Sequence, residues 1–228
     1  MNVGGTLSTN PLSIVIFAKA PLPGFAKTRL IPALGEEGAA ALATKLLAHT
    51  IAAARSAHIG AVELWVTPNP QHQVWSTLDI SKTLTLRAQG DGDLGQRMAR
   101  AARRVIAQGS SVLLIGSDCP QLDSGGLQAA AQALAHHDCC LVPALDGGYT
   151  LLGLRHYHSS LFTGMPWSTP EVADITRERI RELGWSLAEF PPLADIDEPA
   201  DLVNLPAHWR GWDQDSPRSK SACKRSPP

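Results

Sequence analysis

The chain has no C-x-x-C pair, no apolar run near the ~18 residues of a membrane span and almost no net charge, and each gap removes a class of function. A formal charge of −1 leaves no field for general nucleic-acid binding or a polybasic membrane anchor, so any cationic site must be local. The four cysteines, Cys119, Cys139, Cys140 and Cys223, lack both metal-ligand spacing and the pattern of a secreted disulfide scaffold. Cys139 and Cys140 sit together in an apolar run and read as core-strand residues in a reducing compartment. The first ten residues carry no basic segment followed by an apolar one, so no signal peptide is expected and a cytoplasmic location is. Two nucleotide-binding signatures are missing as well. No G-x-G-x-x-G follows a strand, and Gly24-Phe25-Ala26-Lys27-Thr28 only approaches a P-loop. Ala26 stands where the second glycine belongs, and Pro21 and Pro23 remove two backbone donors that would cradle phosphate.

What is present is an alternation of strand and helix periods. With 228 residues and 44% hydrophobic content the chain can bury one substantial core. We expect a single domain over residues 1–210 and a disordered tail over 211–228, where Ser, Pro, Lys and Arg dominate. Strands are predicted at Leu12–Ala18, Ala61–Val66, Thr83–Arg87, Ser111–Ile115, Cys139–Val142, Tyr149–Leu154 and Trp185–Phe190, with Ser111–Ile115 central and Tyr149–Leu154 free to run antiparallel. Helical spacing runs from Ala39 to Ala54, with Glu36 and Glu37 in the first turn, where the helix dipole favours them. Further helices are predicted from Leu94 through Ile106, over Gly125–His136, over Pro170–Leu183 with Thr169 as cap and Pro170 first, and over Pro199–Leu205. This order argues for an α/β fold with a mainly parallel sheet and helices on both faces.

The most informative segment lies between the first strand and the first helix. Lys19, Lys27 and Arg29 stand on a loop shaped by Pro21, Pro23 and Gly24, at the carboxyl end of a buried strand. Ligands of open α/β sheets bind at that edge, and fixed positive charge there points to phosphates, with Gly24 and Thr28 part of the approach. The plainer reading is a solvated basic loop. Gly116-Ser117-Asp118-Cys119-Pro120 ends the central strand on the same edge, and Asp118 fits either a hard divalent cation or an Asx-turn or cap before the next helix. Asp195 and Asp197 alternate on an extended segment, so both can face one ion; equally, Asp197 or Glu198 can cap the helix at Pro199.

Asp93 and Gln96 make a capping-box variant at the helix from Leu94. Acid there disfavours phosphate and leaves a ribose or base contact to Gln89, Gly90 or Arg97. Arg97, Arg100 and Arg104 form a helical stripe that reads as a solvated face. Asp146-Gly147-Gly148-Tyr149 reads as a hairpin turn, as a place where a ligand meets backbone, or as both. Trp167 and Ser168 are candidate acceptor contacts. His136, His137, His156 and His158 lack metal-ligand spacing and read as surface residues.

Six motifs occur in order: K-A-P-x-P-G-x-x-K-T-R-L from Lys19, G-D-x-G-x-R from Gly92, G-S-D-C-P from Gly116, D-G-G-Y from Asp146, P-W-S-T-P from Pro166 and D-I-D-x-P-x-D-L from Asp195. Over about Ser13 to Leu205 the chain resembles the DUF2064 family, glycosyltransferase-A-like and related to phospholactate guanylyltransferases. That resemblance implies the nucleotide-diphospho-sugar transferase (GT-A) fold. It also implies a Mg²⁺ or Mn²⁺ ion shared by Asp118 and Asp197. The partners implied are a nucleotide or nucleotide-sugar donor and a small acceptor, with no nucleic acid, no membrane span and no defined oligomeric state. In nucleotidyl transfer, Lys19, Lys27 and Arg29 would neutralise a triphosphate while a phosphorylated or anionic acceptor attacks, with no protein nucleophile. In glycosyl transfer, the metal would hold a diphosphate leaving group and Asp146 would act as acceptor base. A non-catalytic nucleotide- or sugar-binding module is the third reading. Three cations favour the first, and the naming of the family favours the second.

Overall fold

The apolar runs of the central strands are buried almost throughout, while the edge strands are only partly covered. The computed structural model describes residues 11–78 and 84–209. The expected tail at 211–228, Cys223 and the first ten residues lie outside the described residues. Strand β1 (Leu12–Lys19) leads through a loop to α1 (Ile31–Ser56), followed by β2 (Ala61–Thr67), a short α2 (Val74–Thr77), β3 (Thr85–Ala88) and α3 (Leu94–Ala107). Then come β4 (Ser111–Ile115), α4 (Ser124–Leu134), β5 (Cys139–Pro143), β6 (Tyr149–Leu154), α5 (Val172–Glu182) and β7 (Leu187–Glu189).

One seven-stranded sheet carries these strands in the order β3-β2-β1-β4-β6-β5-β7. Strands β1, β2, β3 and β4 run parallel, with Ile14 opposite Val62 and Val15 opposite Leu114. Only β6 runs against its neighbours, pairing antiparallel with both β4 and β5, while β7 lies parallel to β5. All five residues of β4 are buried. Leu113 and Ile115 face α1 and α4, and Val112 and Leu114 face α3 and α5. A strand covered on both faces has no polar alternation, which is why it reads as a continuous apolar run.

A third cluster positions the site. Ile196, Leu205 and Trp209, from the end of the described chain, pack on Leu30, Ala39, Leu42 and Leu46. The Ile196 N–H donates to the Asp118 carbonyl at 2.9 Å. This packing ties the segment after β7 to both the start of α1 and the end of β4. Among the described residues no helix is long and apolar enough to cross a membrane.

Several boundaries differ from the sequence expectations, each for a local reason. Gly35, at φ 70° and ψ 169°, interrupts α1, so Glu36 and Glu37 do open its long segment, but a preceding turn begins at Ile31. The expected cap Thr169 does not cap α5: its hydroxyl donates to the Pro166 carbonyl at 2.8 Å. The helix starts two residues beyond Pro170, at Val172, after Glu171. The segment from Pro199 forms a 3-10 helix to Asn204. Strand β3 begins at Thr85 and β7 covers only Leu187–Glu189; the expected strand start at Thr83 lies outside the described residues.

Candidate functional site

At the carboxyl ends of β1 and β4 the chain encloses a cavity of roughly 490 Å³. Lys19, Lys27, Thr28 and Arg29 line it from the loop after β1, and Gly116, Ser117 and Asp118 from the end of β4. Asp146, Gly148 and Tyr149 enter from the β5–β6 hairpin, Trp167, Ser168 and Thr169 from the loop before α5, and Asp195 and Asp197 from the final segment. The remaining wall is apolar, formed by Phe17, Leu94, Met98 and Val172.

The charged end is organised around Lys27. Its ammonium lies 3.2 Å from Asp118 Oδ2 and 3.5 Å from Asp197 Oδ1, with only 12% of the side chain exposed. Burial works against its charge, but Asp118 and Asp197 outweigh burial and raise its pKa, so it is an ammonium at any neutral pH. Arg29 Nη1 sits 2.8 Å from Asp197 Oδ2 and 3.6 Å from Glu198 Oε1. Lys19, on the strand end, lies over the Phe25 ring at 4.4 Å from its centroid.

Each carboxylate is free for this role because another residue does the capping. Asp123 Oδ1 accepts from the Gly126 N–H at 2.9 Å and caps α4, which leaves Asp118 facing the cavity. Gly116 leaves room for the Asp118 carboxylate as it stands, since a Cβ would lie 2.6 Å from Oδ1 and shift that side chain. Asp201 Oδ2 accepts from the backbone of both Asp197 and Glu198 at 3.0 and 2.7 Å, so the Asp197 carboxylate is not spent on its own helix. Ile196 is fully buried between Asp195 and Asp197, and the two-residue period puts both aspartates on the cavity side.

Asp195 deserves a place in the site beyond the pair Asp118 and Asp197 that the resemblance implies. Burial, then the charges of Asp118 and Asp146, raise its pKa to about 6. The unfolded carboxyl titrates near 3.8, so protonated Asp195 contributes stability that is full below that value and lost as pH rises through about 6. Asp195→Asn, a permanent mimic of the neutral form, is therefore expected to raise the thermal midpoint at pH 7.5 and to leave it unchanged near pH 4. Thermal unfolding at both pH values checks this, and equal midpoints at pH 7.5 would show that the charge is already compensated.

Other expected contacts fall elsewhere. Gln89 is buried and spends its amide on the fold: Nε2 donates to the carbonyls of Ala18 and Trp65 at 3.1 and 2.9 Å, and Oε1 accepts from Arg97 Nη1 at 3.3 Å. Arg97 also binds the Gly92 carbonyl at 2.9 Å, and a Cβ on Gly90 would meet the Arg100 guanidinium at 2.7 Å. Gln89, Gly90 and Arg97 thus brace the β3–α3 turn outside the cavity. The arginine stripe is solvent-accessible, with Arg100 exposed, but it also binds the fold: Arg100 holds the Gln89 and Asp91 carbonyls and Arg104 pairs with Glu63 at 3.0 Å. The Asp93–Gln96 capping box is present, with bonds of 2.8 and 3.1 Å. Gly24, at φ 70°, shapes the basic loop without lining the cavity.

On the far wall, Asp146 Oδ1 accepts from the Gly148 N–H at 2.9 Å and closes the hairpin turn while the residue still lines the cavity. Gly147 does not line it and serves the contact with Pro170 instead. Tyr149 and Trp167 stack edge to face at 6.3 Å between centroids. Burial raises the Tyr149 pKa far above its usual value. Gly95 admits Trp167 to this wall, since a Cβ there would stand 2.6 Å from Trp167 Nε1. Leu94 and Met98 carry no signal in the sequence beyond helix periodicity, and their place in the cavity follows only from the packing of α3.

Among the described residues no three His, Cys, Asp or Glu side chains are already set around one metal position, and Lys27 bridges Asp118 and Asp197. The donor set still fits a hard divalent cation: oxygen ligands only, with Asp195 behind them under unbalanced negative charge. Cys119 is buried beside Asp118, and burial raises its thiol to about 11, so it is no nucleophile at neutral pH.

The solved structures similar to this one share its fold. A protein from Desulfovibrio desulfuricans G20, described as a "putative nucleotide-diphospho-sugar transferase", is 27% identical with a TM-score of 0.81, over 92% of this chain and 95% of its own. A nucleotidyl transferase from Methanothermobacter thermautotroptrophicus is 18% identical with a TM-score of 0.57, over 88% and 98%. The Rv0371c protein of Mycobacterium tuberculosis H37Rv, in complex with manganese, is 14% identical with a TM-score of 0.50, over 86% and 98%. No curated protein matches in sequence. The family described as "uncharacterized protein conserved in bacteria", DUF2064, matches residues 50–169. With more than half of its length matched, and its six motifs arranged around one cavity and the turns that shape it, this chain belongs to the DUF2064 family.

Proposed function

We propose that the protein is a metal-dependent transferase that moves a nucleotidyl group from a nucleoside triphosphate to a small phosphorylated or anionic acceptor. The observation that carries this reading is the convergence of Lys19, Lys27 and Arg29 with Asp118, Asp195 and Asp197 at one end of a single cavity. Three cations match the charge of a triphosphate better than that of a nucleotide sugar. Lys27 and Arg29 take the donor phosphates, and Lys19 extends the positive field to the mouth of the site. Asp118 and Asp197 would hold Mg²⁺ or Mn²⁺, with Asp195 adding negative charge behind them. When bound, the ion neutralises phosphate charge and polarises the transferred phosphoryl group. The acceptor lies against Asp146, Gly148, Tyr149, Trp167 and Ser168, where the aromatic wall excludes water. The acceptor oxygen attacks the α-phosphorus directly, the bond to the bridging oxygen breaks, and pyrophosphate leaves with its charge held by Lys19, Lys27 and Arg29. Such transfer rests on positioning and electrostatic stabilisation, which this cavity can supply.

Glycosyl transfer is the second reading. It is favoured by the 27% identical Desulfovibrio protein and its description, and by Asp146 standing across the cavity as a base for an acceptor hydroxyl. A thermal-shift screen with Mg²⁺ or Mn²⁺ separates the two, because a ligand that binds only the folded state raises the midpoint. A selective rise with one nucleoside triphosphate is the expected result and names the base. A selective rise with a nucleotide sugar replaces the first reading with the second, and no response from either class removes both.

A further inference from the structure

We infer that Lys27 acts as an internal counter-cation holding the place of the divalent metal, so that metal and donor phosphates enter the site as a coupled pair. This inference rests on the reading of Asp118 and Asp197 as metal ligands. Two carboxylates that lie 91 and 170 residues away from Lys27 in sequence converge on its ammonium at 3.2 and 3.5 Å. The Lys27 backbone is left-handed, at φ 50° and ψ 42°, a conformation that a side-chain-bearing residue adopts only when its surroundings hold it there. Arg29 repeats the arrangement on Asp197 at 2.8 Å. The groups suited to phosphate are therefore already engaged by the groups suited to metal.

That engagement makes the two binding events depend on each other. A metal ion arriving alone must displace Lys27 and leave an ammonium of 12% exposure without its partners, which is costly. Triphosphate arriving alone must draw Lys27 and Arg29 away and leave Asp118 and Asp197 facing each other unbalanced. When both arrive, the carboxylates pass from ammonium to metal and the ammonium passes from carboxylate to phosphate, so each charge keeps a counter-charge. Coupling of this kind is reciprocal between the two ligands.

The test uses the full chain and two probes, Mn²⁺ alone and metal-free inorganic tripolyphosphate. Mn²⁺ binding is read from the free-ion paramagnetic resonance signal. Removing the competing ammonium in Lys27→Met, or in Lys27→Gln, which keeps polarity, is expected to tighten Mn²⁺ binding by about tenfold, within the usual range for coupled sites; Lys27→Arg is expected to leave it near wild type. The converse arm is independent of any change at Lys27. Asp197→Asn removes the nearer charge from Arg29 and one of the two charges that hold Lys27, which keeps Asp118 at 3.2 Å, and is expected to tighten metal-free tripolyphosphate binding several-fold, read by calorimetry. Unchanged or weaker Mn²⁺ binding in folded Lys27→Met and Lys27→Gln, or unchanged tripolyphosphate binding in Asp197→Asn, overturns the coupling. If those lysine variants still lose tripolyphosphate affinity, the phosphate role of the loop survives. Failure of wild type and all variants to bind either probe would overturn the transferase reading itself.

Discussion

Asp118→Asn is expected to abolish transfer, lowering turnover by roughly a thousandfold or more, while the protein keeps its fold. The size follows from the several kcal/mol of charge stabilisation that a bound metal supplies, at about 1.4 kcal/mol for each factor of ten in rate. The substitution is isosteric and keeps an acceptor for Lys27, so what it removes is charge. The backbone at this position is fixed independently, through the Ile196 N–H on the Asp118 carbonyl at 2.9 Å and through the fully buried strand β4 behind it. Lys27 also retains Asp197 at 3.5 Å. The Asp118 side chain is 37% exposed, so losing one arm of the pair costs at most about 1 kcal/mol, or about 2–4 °C for a chain of this size. The measurement is turnover of whichever donor stabilises the wild type, beside a thermal melt of each protein. Wild-type turnover in Asp118→Asn would remove the metal from the mechanism. A lost melt would show that Asp118 acts through the fold.

Much of this arrangement can be read from the chain because it rests on local signals. Strand β4 announces itself since burial on both faces leaves no polar residue between Val112 and Ile115. The start of α3 is set by a capping box within four residues, and β6 by the Asp146-Gly147 turn that folds it back on β5. The basic loop is legible through its position after a buried strand. What the sequence does not carry is the pairing of Lys27 with Asp118 and Asp197, which depends on Ile196, far along the chain, packing on Leu30 and α1. Gln89 is a related case: its place beside a helix start carries no sign of strand β1, which brings the Ala18 carbonyl within 3.1 Å of its amide. The same long-range packing decides Thr169, whose hydroxyl turns back to Pro166 while the hairpin takes over the start of α5.

In that hairpin a single added methyl group is expected to do serious damage. Gly147→Ala should destabilise the protein by about 3 kcal/mol or more, although Ala is the smallest change available. Two costs act together. Gly147 has φ 89°, where a side chain costs about 1–2 kcal/mol. An added Cβ would also stand 2.1 Å from the Pro170 carbonyl oxygen and 2.4 Å from its Cα, both backbone atoms that no rotamer change can move. Relief requires the hairpin and the start of α5 to part, and that breaks the bond from the Ala173 N–H to the Gly147 carbonyl at 2.8 Å. The cavity wall lies on both sides of this contact, with Asp146 and Gly148 on the hairpin and Trp167 and Ser168 leading into α5. Denaturant unfolding of Gly147→Ala measures the first effect, and donor and acceptor binding measured separately measures the second. The wall is proposed to hold the acceptor, so acceptor binding should fall while metal and phosphate binding at the Lys27 end hold. The neighbouring Gly148→Ala is the control, since its Cβ would meet only the Asp146 carboxylate at 3.1 Å, a side chain able to shift. Equal stability of Gly147→Ala and wild type would mean that the hairpin and α5 are not held by this contact.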